Sequence, residues 1–268
     1  MERSERAAKS GRLALLDCIR GITLISMILY HACWDAVYIV GADWPWYLSR
    51  GSYIWQQSIC WTFIFLSGFC IPFSGKLLKR GLMVFSAGAL VMLVTNILLP
   101  EDRVVFGVLT LIGSCMLMMI PVQKIGMTGR RAALLFAVSA ILFILCKDIN
   151  AGLLGTGMLH RIFPAIPQRT VPVPAGLYRN LFTAYLGFPP ADFYSTDYFS
   201  ILPWSFLYLS GYAFHHILRD AGALDHPVLK VDCRPLSFLG RHSLLIYLLH
   251  QPVLYLYVLI YVYAVNGG

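Results

Sequence analysis

Asp17, Arg20, His31 and Asp35 all stand inside one apolar run, LALLDCIRGITLISMILYHACWDAVYI. Ionisable side chains are costly in such a run and persist where they face a bundle interior or a wet cavity. On an α-helix, at roughly 100° per residue and with Asp17 as zero, Arg20 falls near about −60°, His31 near about −40° and Asp35 near about zero. The four therefore share one stripe, which predicts a functional face turned inward. Arg20 and His31 are ~16 Å apart along the axis, so the stripe has two ends. At one end His31 and Asp35 are spaced i, i+4, close enough for a carboxylate to orient an imidazole and stabilise its charged form. Such a pair can take a proton from a hydroxyl or amine during acyl transfer; it can equally anchor a helix by hydrogen bonds across the bundle. At the other end Asp17 and Arg20, at i, i+3, form either a ligand-facing pair or an interfacial ion pair.

The elements that must position these residues follow from composition. Of 268 residues, 58% are hydrophobic and only 13% charged, with a mean hydropathy of +0.69. A soluble domain carries roughly 25% charged residues, so a water-soluble fold is excluded. The apolar residues gather into runs near the ~20 needed to cross a bilayer as helix. They predict seven spans, at 13–40, 53–73, 81–99, 106–122, 132–149, 201–218 and 237–263. The runs lack the alternation of a transmembrane barrel, and helices satisfy their own backbone in lipid. The expected fold is thus an all-α polytopic bundle forming a single domain over 1–268, preceded by a short basic tail at 1–12. The first run lacks a small-residue cleavage site and does not read as a removed signal peptide.

Orientation is read from Lys and Arg. With a cytoplasmic N-terminus, the inner segments hold Arg3, Arg6, Lys9 and Arg12, then Lys76, Lys79 and Arg80, then Lys124, Arg130 and Arg131, then Arg219, Lys230 and Arg234. This is the positive-inside pattern. The formal charge of +8 is accordingly a topology and lipid-contact signal, and nucleic acid is not an expected partner. Residues 150–200 break the hydropathy pattern with Pro, Gly and then aromatic residues, predicting a long ordered extracytoplasmic loop. Within it, 177–188 reads as a short interfacial helix. The seven cysteines include no CxxC, and six lie in or at spans, which argues for packing rather than a disulfide framework. No HExxH motif, metal-ligand spacing or GxxxxGK[ST] loop is present, so no metal is expected.

Several segments together carry a resemblance. LDCIRGITLISMILYHACWD resembles the opening helix of the heparan-α-glucosaminide N-acetyltransferase catalytic family, within the wider membrane acyltransferases that share an LDxxRGxxxxxxxxxH arrangement. Further similar segments are FIFLSGF at 63–69, FYSTDYFSILPW at 193–204 and GRHSLLIYLLHQPVL at 240–254. The resemblance implies transfer of an acetyl group from cytoplasmic acetyl-CoA, the donor substrate, to an amino or hydroxyl group of a sugar or glycan across the membrane. It implies a multi-pass protein of the bacterial cytoplasmic (inner) membrane, possible as an oligomer. The matched positions are Asp17, Arg20, Gly21, His31, Asp197, Trp204, Gly240, Arg241, His242 and His250. His31, with Asp35, would be the acid/base or acyl-carrying residue. Asp17, Arg20, Arg241 and His242 would meet the donor, Asp197 and Trp204 the acceptor. Gly21 would let helices pack closely. Asp197 can alternatively cap the sixth span. His250, nine residues and ~900° beyond Arg241 on a continuous helix, falls on the opposite face and reads as a packing residue. The alternative from a different class is a transporter or flippase for a small glycan or lipid, with the stripe as its permeation or proton path; a receptor or scaffold is a third.

Overall fold

A computed structural model describes residues 13–266, and the basic tail expected at 1–12 lies outside them. The chain is built from helices: α1 (Ala14–Tyr38), α2 (Arg50–Phe69), α3 (Leu77–Leu98), α4 (Val108–Val122), α5 (Gly129–Cys146), α6 (Gly157–Ile162), α7 (Leu181–Leu186), α8 (Ile201–Asp220), α9 (Arg234–Arg241) and α10 (Ser243–Asn266). Each of the seven expected segments contains a helix. Among the described residues, four stretches are long and apolar enough to cross a membrane: Ala14–Tyr38, Leu77–Leu98, Gly129–Ala151 and Ser243–Ala264. Helix α4, at 15 residues, rises only ~22 Å against a hydrocarbon core of ~30 Å.

Two departures from the sequence reading have local causes. The segment expected as one helix over 237–263 is divided at His242 into α9 and α10. The His242 ring nitrogen Nδ1 bonds the carbonyl of Phe238 at 2.9 Å, taking up a terminal acceptor of α9 as C-terminal histidines do. The loop expected over 150–200 carries two short strands in a chain read as all-α. Strands β1 (Leu153–Gly155) and β2 (Thr170–Pro172) pair antiparallel, with Leu154 opposite Val171. The Thr156 hydroxyl closes the ribbon by donating to Pro167 O at 2.9 Å and accepting from Arg169 N at 2.9 Å. The short helix expected near 177–188 is α7, opened by a capping box between Asn180 and Thr183.

The chain forms two compact units, one from its two ends (up to Phe63, and from Ala221 onward) and one from Ile64–Asp220. In the first, Leu24 and Met27 of α1 pack with Ile59 of α2, flanked by Trp55, Leu239, Ile246 and Tyr247. The Trp55 indole N–H donates to the Ser26 hydroxyl at 2.8 Å. In the second, α8 lies along α5 and α3 along α4. Ser139 and Ser210 join their hydroxyls at 2.9 Å between α5 and α8. Small and hydroxylated residues at such crossings are what lipid-embedded helices need, since lipid tails supply no hydrophobic drive for helix association. All seven cysteines are free thiols, with Cys18 and Cys115 buried.

Candidate active site

Within the first unit, α1 and α10 bring two imidazoles together. The rings of His31 and His250 have centroids 5.0 Å apart, tilted by 59°. His250 Nδ1 lies 2.5 Å from the carbonyl of Tyr247. A carbonyl only accepts, so Nδ1 carries the proton and Nε2 is the bare nitrogen of the neutral ring. That Nε2 is buried and has no hydrogen-bond partner among the described residues. Pro252 follows two residues later inside α10 and removes a backbone N–H from the ladder there.

Beside this pair, Asp35 is wholly buried, at 0% exposure. Its Oδ1 accepts from the Gln251 amide, Nε2, at 3.0 Å. A buried carboxylate requires such donors. Gln251→Leu is therefore expected to lower stability by about 1–3 kcal/mol, the cost of one lost bond to a charged group. Thermal unfolding of the purified protein checks this; an unchanged midpoint would show that the amide does not support Asp35.

An aromatic path leads away from His31. Tyr30 meets the His31 ring edge-on at 6.3 Å and touches both Tyr47, at 5.2 Å, and Trp55, at 5.1 Å. Trp46 stacks on Trp55 at 6.4 Å, and Trp44 on Trp46 at 5.9 Å. The last two rings are open, at 39% for Trp44 and 48% for Trp46. Tyr47 is buried, which pushes its phenol well above the usual tyrosine range and keeps it neutral.

At the other end of the stripe, Arg20 pairs with Asp17 at 3.1 Å. The backbones of α1 and α9 meet here. A Cβ on Gly21 would stand 2.1 Å from the Leu236 carbonyl oxygen, and one on Gly240 2.0 Å from that of Asp17. Gly21 thus does what the sequence implied. Gly240 immediately precedes Arg241 and His242, both exposed, so Asp17, Arg20, Arg241 and His242 are gathered at one end of the first unit.

Asp197 and Trp204 belong to the second unit. Asp197 Oδ2 lies 3.0 Å from where a Gly107 Cβ would be, placing the carboxylate by the start of α4, where the helix dipole favours negative charge. Trp204 is 4% exposed, between Phe143 and Phe199, with the Lys147 ammonium 4.4 Å above its ring.

The residues that sequence reasoning did not assign to the site are His250, Gln251 and the Tyr30–Trp55–Trp46–Trp44 path. The histidine stood in a matched motif, but the ~900° argument set it aside. That arithmetic assumed one unbroken helix from Arg241 onward, and the break at His242 resets the helical phase.

Helices long and apolar enough to cross a membrane, an ionisable stripe along α1 and paired imidazoles are the features of a membrane protein with a buried polar site. The chain belongs to the heparan-alpha-glucosaminide N-acetyltransferase catalytic family, whose sequence pattern matches residues 12–252. It is thus a member of a membrane acetyltransferase family. No curated protein and no solved structure matches the chain.

Proposed function

We propose that this protein moves an acetyl group from cytoplasmic acetyl-CoA to an amino or hydroxyl group of a sugar on the far side of a bacterial cytoplasmic membrane, through seven crossings with a cytoplasmic N-terminus. The observation that carries the reading is the His31–His250 pair, 5.0 Å between rings, in a chain of this family. Asp17, Arg20, Arg241 and His242 form the donor end, where guanidinium groups suit CoA phosphates. The thioester then reaches His31 along the ~16 Å of α1 between the two ends of the stripe.

There the acceptor's lone pair attacks the thioester carbonyl carbon as its N–H or O–H proton passes to an imidazole. The tetrahedral intermediate collapses with cleavage of the C–S bond, and the imidazolium returns the proton to the leaving sulfur. In the covalent variant, His31 first takes the acetyl group and the acceptor then removes it. A burst of CoA release without acceptor marks the covalent route. Asp35 orients the pair, and Asp197 and Trp204 are assigned to the acceptor.

The exposed rings of Trp44 and Trp46 supply flat apolar faces of the kind that receive the C–H face of a pyranose. Trp46→Ala is expected to raise the acceptor KM about fivefold to tenfold with little change in kcat, from the loss of one aromatic contact. The test is turnover of radiolabelled acetyl-CoA by purified protein with amino sugars and glycans. Saturable, acceptor-dependent CoA release supports transfer. Flux of a glycan or lipid across liposomes without acyl-CoA would support the transporter instead.

A further inference from the structure

Helix α3 presents an apolar face along Leu90, Leu93 and Ile97, exposed at 55%, 57% and 68%. It is one of the stretches able to cross a membrane, so this face is turned to lipid. At the C-terminal end of the ridge lies a cavity of about 680 Å³, wholly within the second unit. Its apolar wall is Met92 and Leu93; its polar wall holds Asn96, Arg103, Arg179 and Asp192. The cavity is therefore amphipathic and sits at the end of a candidate span, where a bilayer lipid changes from tail to headgroup.

The two arginines are held in place by their backbones. Directly after Arg103, Val104 N donates to the Thr95 hydroxyl at 3.0 Å and Val105 N to that of Ser195 at 2.9 Å. The Arg103 carbonyl accepts from Thr196 N at 3.1 Å. Its Nε donates to Tyr194 O at 3.3 Å, leaving the terminal nitrogens to face a ligand. Arg179 N donates to the Thr183 hydroxyl at 3.1 Å, in the capping box that opens α7. The Arg179 guanidinium has no hydrogen bond or ion pair among the described residues. Anchored backbones reduce the ordering cost of binding, and planar guanidinium forks match phosphate oxygens. Asp192 leaves the cavity with one more positive than negative charge and offers an acceptor to a headgroup hydroxyl or ammonium.

We infer that Arg103 and Arg179 form a binding site for the phosphate of a glycerophospholipid of the surrounding bilayer, with an acyl chain lying along Leu90, Leu93 and Ile97. The site does not depend on the transfer reaction. The test titrates the full chain in detergent with dioleoyl phosphatidylglycerol and reads bound lipid by native mass spectrometry. One saturable adduct is expected, weakened about tenfold in Arg179→Gln, the loss of one charge-assisted bond, and further in the Arg103→Gln/Arg179→Gln variant. Arg179→Gln removes no internal bond of the guanidinium, so it reports on the site even where the double variant fails to fold. Equal retention of the lipid by Arg179→Gln and wild type would overturn the proposal. So would equal binding of dioleoylglycerol, which lacks the phosphate, or binding of soluble glycerol phosphate as tight as that of the lipid.

Discussion

Replacing His31 by alanine is expected to lower acetyl transfer by at least about 10³-fold, within the range of lost acid–base catalysis, while the protein remains folded. His31 is only half-buried in α1, and alanine is the better helix former, so the substitution removes chemistry rather than scaffold. His250→Ala is expected to fall into the same range, because its ring meets that of His31 and offers a bare nitrogen. If the two imidazoles act as one device, the double variant is scarcely worse than either single variant, as for residues that function together. Acceptor-dependent CoA release, measured on protein whose unfolding midpoint matches wild type, checks both. Turnover near the wild-type rate in His31→Ala would remove this residue from the mechanism.

The second large effect is structural. Gly240→Ala places a methyl group 2.0 Å from the Asp17 carbonyl oxygen, with the carbonyl carbon at 2.8 Å and Cα at 3.0 Å. All three atoms are backbone, so no rotamer change relieves the overlap and α1 and α9 must separate. The expected loss is about 3 kcal/mol or more, the upper range of overpacking. Gly126→Ala, where a Cβ meets nothing within 4 Å, is the matched control and is expected to unfold like wild type. Gly240→Ala should also weaken acetyl-CoA binding, because Arg241 moves away from the Asp17–Arg20 pair. Unfolding in detergent and donor binding together test the prediction; a wild-type midpoint in Gly240→Ala would contradict the close crossing.

The sequence made the α1 stripe readable because ionisable residues in an apolar run are rare and the helical period is fixed. Gly21 was readable through the resemblance, as a matched glycine that lets helices approach closely. The partners across that crossing were not, since nothing local to residue 21 specifies that the Leu236 main chain lies against it. The break at His242 escaped notice because Arg241–His242–Ser243 carries no Pro or Gly at the turn itself and the apolar pattern continues past it. With the break unseen, helical phase was carried too far and His250 was turned away from the site. Strands β1 and β2, three residues each, are shorter than the four to eight over which alternation becomes a signal. The aromatic path is likewise a product of folding, since nothing in the spacing of Trp44, Trp46 and Trp55 says that their rings meet.

The joining of the two chain ends in one unit also sets when the His31–His250 pair can first form during synthesis. Asp35 and Gln251 are separated by 216 positions, so at 5–20 residues per second the ribosome takes roughly 10 to 40 s to supply the second half of the pair. Throughout that interval the nascent chain holds His31 without His250. A product cut short before the last helix lacks His250 and Gln251, and with them both side-chain pairs that join α1 to α10.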